Sequence, residues 1–238
     1  MNENNTIYKR LKNVTIEEGK ELNKILNLSN DIKYDPIVVY KEYQSAAGHS
    51  IINLFRKEDI TYKQILIDVA DKLHKGIGWT HFKFEDSYTE EDIEKKIWED
   101  LQQRATELKK QWDKLPNKKK KEKMRNLKEE LKKEGYNQVA ITSFIGLLVS
   151  GAGGVTAAAP AAISIFYSGF FASIAVGIFG VSTAALITSG LLISSIAILP
   201  IGIIAIGTPA YRKTIPMTVL LIQIGKRLEL ENDLKEYK

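Results

Sequence analysis

One uninterrupted stretch of 77 residues, from Gly135 to Tyr211, contains no charged side chain. The 34 basic and 29 acidic residues all lie before it or after it. Such a chain combines a charged part, typical of a folded domain, with an apolar part typical of a membrane or a deeply buried core. We therefore expect three segments: a charged helical domain (1–134), an apolar helical block (135–211) and a C-terminal amphipathic helix (212–238).

Two stretches of the apolar block, about 161–181 and 184–206, are each about as long as a helix that crosses a bilayer. The sequence therefore predicts a membrane hairpin. Two alternatives stay open: a third crossing over 139–159, or a soluble bundle in which the other helices surround the apolar ones.

Basic residues flank the apolar block on both sides. Residues 109–134 hold 12 basic and 5 acidic side chains, most of them in a polybasic helix expected at 117–133. Basic flanks mark the cytoplasmic side of a membrane, so both termini are expected in the cytoplasm. The cations expected to bind anionic lipid headgroups are Lys118, Lys119, Lys120, Lys121, Arg212 and Lys213.

The charged part favours an all-α fold, because helix start signals recur and no strand alternation is evident. Thr15 and Glu18 form the pattern of a capping box, and the stretch from Thr89 to Asp92 resembles another N-cap. We expect helices from Thr15 to Leu28, Pro36 to Ala47, Tyr62 to His74, Thr89 to Asp113 and Pro116 to near Gly135.

No motif indicates catalysis, a cofactor or a metal. The chain has no cysteine, its histidines (His49, His74 and His81) lack metal-ligand spacing, and it has neither a P-loop nor a GxSxG motif. The lysine run lacks interleaved aromatic residues, which disfavours nucleic-acid binding. Asp68 and Asp71 are either paired carboxylates or, as we favour, members of helix-face salt bridges.

Three stretches, GHSIINLFR at 48–56, YKQILIDVADKL at 62–73 and AYRKTIP at 210–216, resemble motifs of the YaaW-like family of uncharacterised bacterial proteins. The similarity in motif order spans about residues 45–230. It implies a bacterial protein of unassigned function. The family is remotely grouped with ubiquinol–cytochrome c assembly chaperones, which implies assembly work. The region 155–207 departs from the family by being longer and more apolar.

The matched stretches give a set of candidate residues. We expect Gly48 to end a helix in a left-handed conformation, Arg56 to pair with Asp68, and Pro216 to begin the last helix. Tyr211 and Arg212 suit a membrane border. The full set is Gly48, Ser50, Asn53, Arg56, Tyr62, Asp68, Tyr211, Arg212 and Pro216.

The sequence thus predicts a non-enzymatic protein of the bacterial cytoplasmic membrane, whose helical domain binds or chaperones an unknown protein. The alternative is a membrane-permeabilising effector, since helices around a charge-free hairpin are the arrangement of pore-forming colicin-like domains. An enzyme using Asp68 and Arg56 is the third hypothesis.

Overall fold

The computed structural model describes residues 6–29, 34–48, 60–75, 87–133, 135–155, 162, 165 and 211–236. Every regular element in these residues is an α-helix, which confirms the all-α prediction. The helices are α1 (Thr6–Lys12), α2 (Ile16–Leu26), α3 (Pro36–Gly48), α4 (Tyr62–Lys75), α5 (Glu90–Asp113), α6 (Asn117–Lys133), α7 (Gln138–Ser150), α8 (Ala152–Val155) and α9 (Tyr211–Glu236).

The helix starts follow the local signals in the sequence. The hydroxyl of Thr15 accepts a hydrogen bond from the backbone N–H of Glu18 at 3.2 Å, and the carboxylate of Glu18 accepts one from the backbone N–H of Thr15 at 2.8 Å. Thr89 and Asp92 form the same reciprocal pair. The predicted capping box at Thr15 and the predicted N-cap at Thr89 are therefore confirmed. Helix α2 ends at Leu26, two residues before the predicted end, because Asn27 adopts a left-handed φ of 59°.

The C-terminal helix α9 differs from its prediction in two ways. It begins at Tyr211, and Pro216 lies inside it. The prediction that Pro216 begins this helix is therefore wrong. A proline cannot donate the helical hydrogen bond to the carbonyl four residues earlier. Residues 214–222 are all buried, so tertiary packing on every side holds the helix together across the proline.

The polarity of α9 changes along the helix rather than from one face to the other. Residues 214–222 are buried, whereas 229–236 are exposed. The predicted amphipathic helix is accordingly a central helix with a projecting polar end. It packs against α1, α2, α3, α4 and α5.

Helix α5 joins this first group of helices to a second one. Its 24 residues extend over about 36 Å. It packs against α4 and α9 of the first group and against α7 and α8 of the second, while α6 packs against α7. One hydrophobic core runs through both groups, from Ile7 to Ile224. The core thus includes helices from both sides of the apolar block.

The apolar block begins with α7, which ends at Ser150 because Gly151 has a φ of 63°. The single helix over 139–159 that a third crossing needs is therefore not formed. Within the described ranges, no helix combines the length and apolar character of a membrane span. The predicted spans, 161–181 and 184–206, lie outside the described residues except for Ala162 and Ile165, which are both buried.

Candidate functional site

Helix α6 presents a strongly basic surface. It carries nine basic and three acidic side chains. Only Leu127 and Leu131 are buried, and Met124 packs partly against the core. These three residues form a single stripe of about one turn's spacing, so most of the helix circumference is turned away from the protein.

The four consecutive lysines lie at the start of this helix. Lys118, Lys119 and Lys121 are exposed, while the ammonium group of Lys120 donates a hydrogen bond to the backbone carbonyl of Asp113 at 3.2 Å. Helix α6 ends at Lys133, two residues before the charge-free block begins. Three cations of the predicted lipid-facing set are therefore exposed on the helix that leads into the block.

Lys213 has a different environment from the one predicted. Its ammonium group donates a hydrogen bond to the backbone carbonyl of Leu26 at 2.8 Å and lies 3.6 Å from the carboxylate of Glu42. The carbonyls at the end of a helix carry partial negative charge, so a lysine there stabilises α2. Lys213 therefore binds other residues of the protein, whereas the sequence analysis predicted that it would lie at the lipid border.

Arg227, near the other end of α9, binds the start of α2. Its Nε and one Nη donate to the two carboxylate oxygens of Glu18, both at 2.9 Å, and that Nη also donates to the backbone carbonyl of Asn13 at 2.8 Å. Glu18 is the capping-box residue of α2. Since Lys213 binds the end of α2 and Arg227 its beginning, the two helices are antiparallel and are joined at both ends.

A buried ion pair lies on the opposite side of α9. The guanidinium of Arg10 donates to both carboxylate oxygens of Glu94, at 2.5 and 2.9 Å, and the hydroxyl of Tyr62 donates to Glu94 at 2.7 Å. Burial alone would lower the pKa of Arg10, but the hydrogen bonds and charge of Glu94 outweigh it and raise that pKa. Burial, together with the charge of Glu94, raises the pKa of Tyr62 well above its ordinary value.

A second buried polar contact joins α3 to α9. The hydroxyls of Tyr43 and Thr218 are 2.6 Å apart. Because Thr218 donates its proton to the backbone carbonyl of Thr214 at 2.7 Å, Tyr43 is the donor in this pair. Burial raises the pKa of Tyr43 above its ordinary value. These buried groups are hydrogen-bonded to one another, which suits them to fixing helix positions.

The structure places the remaining candidate residues as follows. Gly48 is the last residue of α3 and does not have a positive φ, so the predicted left-handed conformation is wrong. Asp68 is half-buried and accepts a hydrogen bond from the side chain of Gln64 at 3.0 Å. The predicted partner Arg56 lies outside the described residues, as do Ser50 and Asn53. Tyr211 and Arg212 are the first residues of α9, where the structure describes their backbone only.

The sequence reasoning found Tyr62 but missed its partners Arg10 and Glu94. Their separation of 84 residues exceeds what local periodicity can detect. One signal was available in Gly225, a glycine in a helix interior, which often marks a close approach. A Cβ atom at Gly225 would lie 2.6 Å from Cζ of Arg10, so the guanidinium packs directly on the α9 backbone.

The described residues hold no group of three or more histidine, aspartate or glutamate side chains close enough to bind a metal ion. Comparison with protein-family models, with curated proteins and with solved structures finds no match to this chain.

Proposed function

We propose that this chain is a membrane-anchored, non-enzymatic protein whose helical body works at the cytoplasmic face of a bacterial membrane. The segments 161–181 and 184–206 form the hairpin that anchors it. The body binds another protein, in keeping with the assembly role implied by the resemblance to the YaaW-like family. The observation that carries the proposal is the charge-free block of 77 residues, entered directly from a helix with exposed lysines.

The geometry of α6 is what supports contact with lipid headgroups. Only one narrow stripe of the helix is buried, so Lys118, Lys119 and Lys121 can approach an anionic surface together. Each such lysine contributes about 1 kcal/mol of attraction to an anionic membrane. A weak attraction of this size orients a body that the hairpin already holds at the surface.

Alkaline carbonate extraction of bacterial membranes tests the anchor. We expect the chain to stay in the membrane pellet, as integral proteins do. Release into the supernatant would overturn the proposal, because it would mean that the apolar segments are sheathed by protein. Purification in detergent should also bring down a stoichiometric protein partner, and its absence would count against the interaction role.

The lipid contact of α6 has its own test, which uses the absence of cysteine from the chain. Lys119→Cys introduces a single site for an environment-sensitive fluorophore, and Lys95→Cys provides a matched exposed site on α5. In reconstituted membranes, the label at 119 should respond to anionic lipid and lose the response at high salt. An equal response at 95 would contradict the proposed orientation.

A membrane-permeabilising effector is the second candidate, and one observation favours it. The helices that precede the apolar block in the sequence share one hydrophobic core with α9, which follows it. A layer of helices around the block is therefore structurally feasible. Purified protein that remains soluble without detergent and releases dye from anionic vesicles would establish this alternative. Intact vesicles would exclude it.

A further inference from the structure

The two most exposed large apolar side chains of the described helices lie beside one cavity. Ile16, the first residue of α2, is 73% exposed, and Val139, the second residue of α7, is 68% exposed. A cavity of about 780 Å³ separates α2 from the segment that joins α6 to α7. Ile16 lines this cavity, and Val139 lies between the lining residues Asn137 and Ala140 in the chain. The two side chains therefore lie on either side of one concave surface.

Cations follow Ile16 along α2. Ile16, Lys20 and Lys24 are all exposed and recur at intervals of four residues, so they lie along one face of the helix. Lys20 and Lys24 line the cavity as well, and its one acidic lining residue, Glu21, is buried. Glu17, which is exposed on α2, lies outside the lining. The charge that the cavity edge presents to solvent is therefore positive.

The opposite wall, at the joint between α6 and α7, has a fixed geometry. The backbone N–H of Gly135 donates to the carbonyl of Lys132, and that of Tyr136 donates to the carbonyl of Leu131, both at 3.0 Å. This is a Schellman motif, which the positive φ of 82° at the glycine allows. The side chain of Asn137 then accepts a hydrogen bond from a backbone N–H in the first turn of α7 at 2.9 Å. The start of α7 is therefore held in place relative to the end of the basic helix α6.

Tyr136 joins the two walls of the cavity. The ammonium group of Lys24 lies 4.2 Å from the centre of the Tyr136 ring, a distance at which a cation is attracted to an aromatic face. The tyrosine is half-buried, as suits a ring with an apolar body and a polar end. Lys132 and Lys133, the last residues of α6, are exposed and add two cations just before the lining residue Gly135. Aliphatic side chains, a ring and cations thus lie together in one region of the body.

We propose that this region is a docking face for an anionic lipid surface. The docking face consists of Ile16, Lys20, Lys24, Tyr136 and Val139. An anionic bilayer presents negative charge at its surface and apolar material just beneath it, which complements lysines beside protruding aliphatic side chains. Ile16 and Val139 insert among the headgroups, and the lysines lie beside the lipid phosphates. The inference rests on the proposed function and adds α2 and the start of α7 to the membrane contact of α6.

Fluorescence quenching by lipid in the full-length chain tests the docking face. Because the chain has no cysteine, Ile16→Cys and Val139→Cys each provide a single labelling site, and Lys95→Cys provides an exposed control site on α5. The labelled chains are reconstituted into vesicles of phosphatidylcholine and phosphatidylglycerol that contain a lipid with a spin-labelled headgroup. The labels at 16 and 139 should lose most of their fluorescence, and the label at 95 should keep it. Equal quenching at the three sites, or none at 16 and 139, would overturn the proposal.

The contribution of the lysines is tested from both sides of the contact. Lys20→Gln combined with Lys24→Gln should reduce the quenching at 139 by about twofold or more, and so should vesicles without phosphatidylglycerol. The change of lipid alters no residue of the protein, so its result is independent of any effect on folding. Lys41→Gln combined with Lys95→Gln removes two exposed charges from α3 and α5 and should leave the quenching unchanged. Undiminished quenching at 139 in both the first variant and the neutral vesicles would overturn the role of the lysines.

The remaining outcomes separate this inference from its alternatives. Disulfide cross-linking between Ile16→Cys chains under a mild oxidant, without lipid quenching at 16, would assign the face to a second copy and overturn the lipid contact. Retention of the chain after carbonate extraction, without quenching at 16 and 139, would overturn the docking face and leave the anchor intact. Release by carbonate, with quenching at both sites when spin-labelled vesicles are added, would overturn the anchor and support the docking face as a peripheral contact.

Discussion

The guanidinium of Arg10 lies directly against Gly225, where a Cβ atom would come within 2.6 Å of both Cζ and Nε. The glycine thereby allows α1 to bring a buried cation to Glu94 across the surface of the central helix α9. A helix interior ordinarily disfavours glycine by about 1 kcal/mol relative to alanine. Here the missing side chain is the condition for a buried bidentate ion pair.

Gly225→Ala should therefore destabilise the protein, by about 2–4 kcal/mol, because the new methyl group displaces Arg10 from Glu94. Gly146→Ala is the matched control, since Gly146 lies inside α7 with nothing within 4 Å of its Cβ position. The control should be stabilising by up to about 1 kcal/mol. Thermal and chemical unfolding measure both changes. A stabilised Gly225→Ala variant would contradict the contact.

The buried pair itself predicts strong coupling between its members. Glu94→Ala should cost about 3–5 kcal/mol, because it leaves the charge of Arg10 buried without a partner. Replacing Arg10, Tyr62 and Glu94 together by methionine, phenylalanine and leucine should restore much of that loss. A double-mutant cycle on the free energy of unfolding measures the coupling. Simple additivity of the single changes would argue against a mutually dependent cluster.

The buried tyrosines predict a loss of stability at alkaline pH. Burial raises the pKa of Tyr43 and Tyr62, whereas tyrosines in the unfolded chain lose their protons near pH 10. The stabilisation from the neutral hydroxyls is therefore complete below about pH 10 and decreases as the pH rises further. Each tyrosine contributes a slope of up to about 1.4 kcal/mol per pH unit.

Denaturant unfolding between pH 8 and 11 tests this dependence. Tyr43→Phe should remove one tyrosine's contribution to the slope of the unfolding free energy above about pH 10. The double variant with Tyr62→Phe should remove the contributions of both. The comparison with the parent removes the background from other titrating groups. An unchanged slope in the double variant would contradict the role assigned to these hydroxyls.

The contact of Arg227 with Glu18 predicts a local effect at the start of α2. Arg227→Lys keeps the charge but cannot reproduce the bidentate contact, so it should cost about 1–2 kcal/mol. Hydrogen exchange should accelerate in the first turn of α2. Arg125→Lys, at an exposed position of α6, is the control and should leave exchange in α2 unchanged. Equal exchange rates in the two variants would contradict the contact.

Local chemistry made the helix starts predictable. The capping boxes at Thr15 and Thr89 use bonds between residues three apart, so the pattern is contained in a few neighbouring letters. The buried face of α4 was equally predictable from the sequence, because Tyr62, Ile65 and Val69 recur at helical spacing. All three are buried in the structure.

The relationships that hold the helices together were not predictable in this way. Arg10 and Glu94 are 84 residues apart, and Arg227 and Glu18 are 209 apart. The start of α9 was misjudged because a proline is favoured in the first turn of a helix, whereas Pro216 lies inside α9, where residues 214–222 are all buried.

The position of α9 at the centre of the core has a consequence for biosynthesis. The ribosome makes the chain from its N-terminus, so α1 to α5 emerge long before the helix around which they pack. The 55 residues between Val155 and Tyr211 must be translated first. Until then the partners of α9 have no central helix, and the apolar side chains that pack on it lack their cover. Completion of the body therefore waits until the apolar block and α9 have been translated.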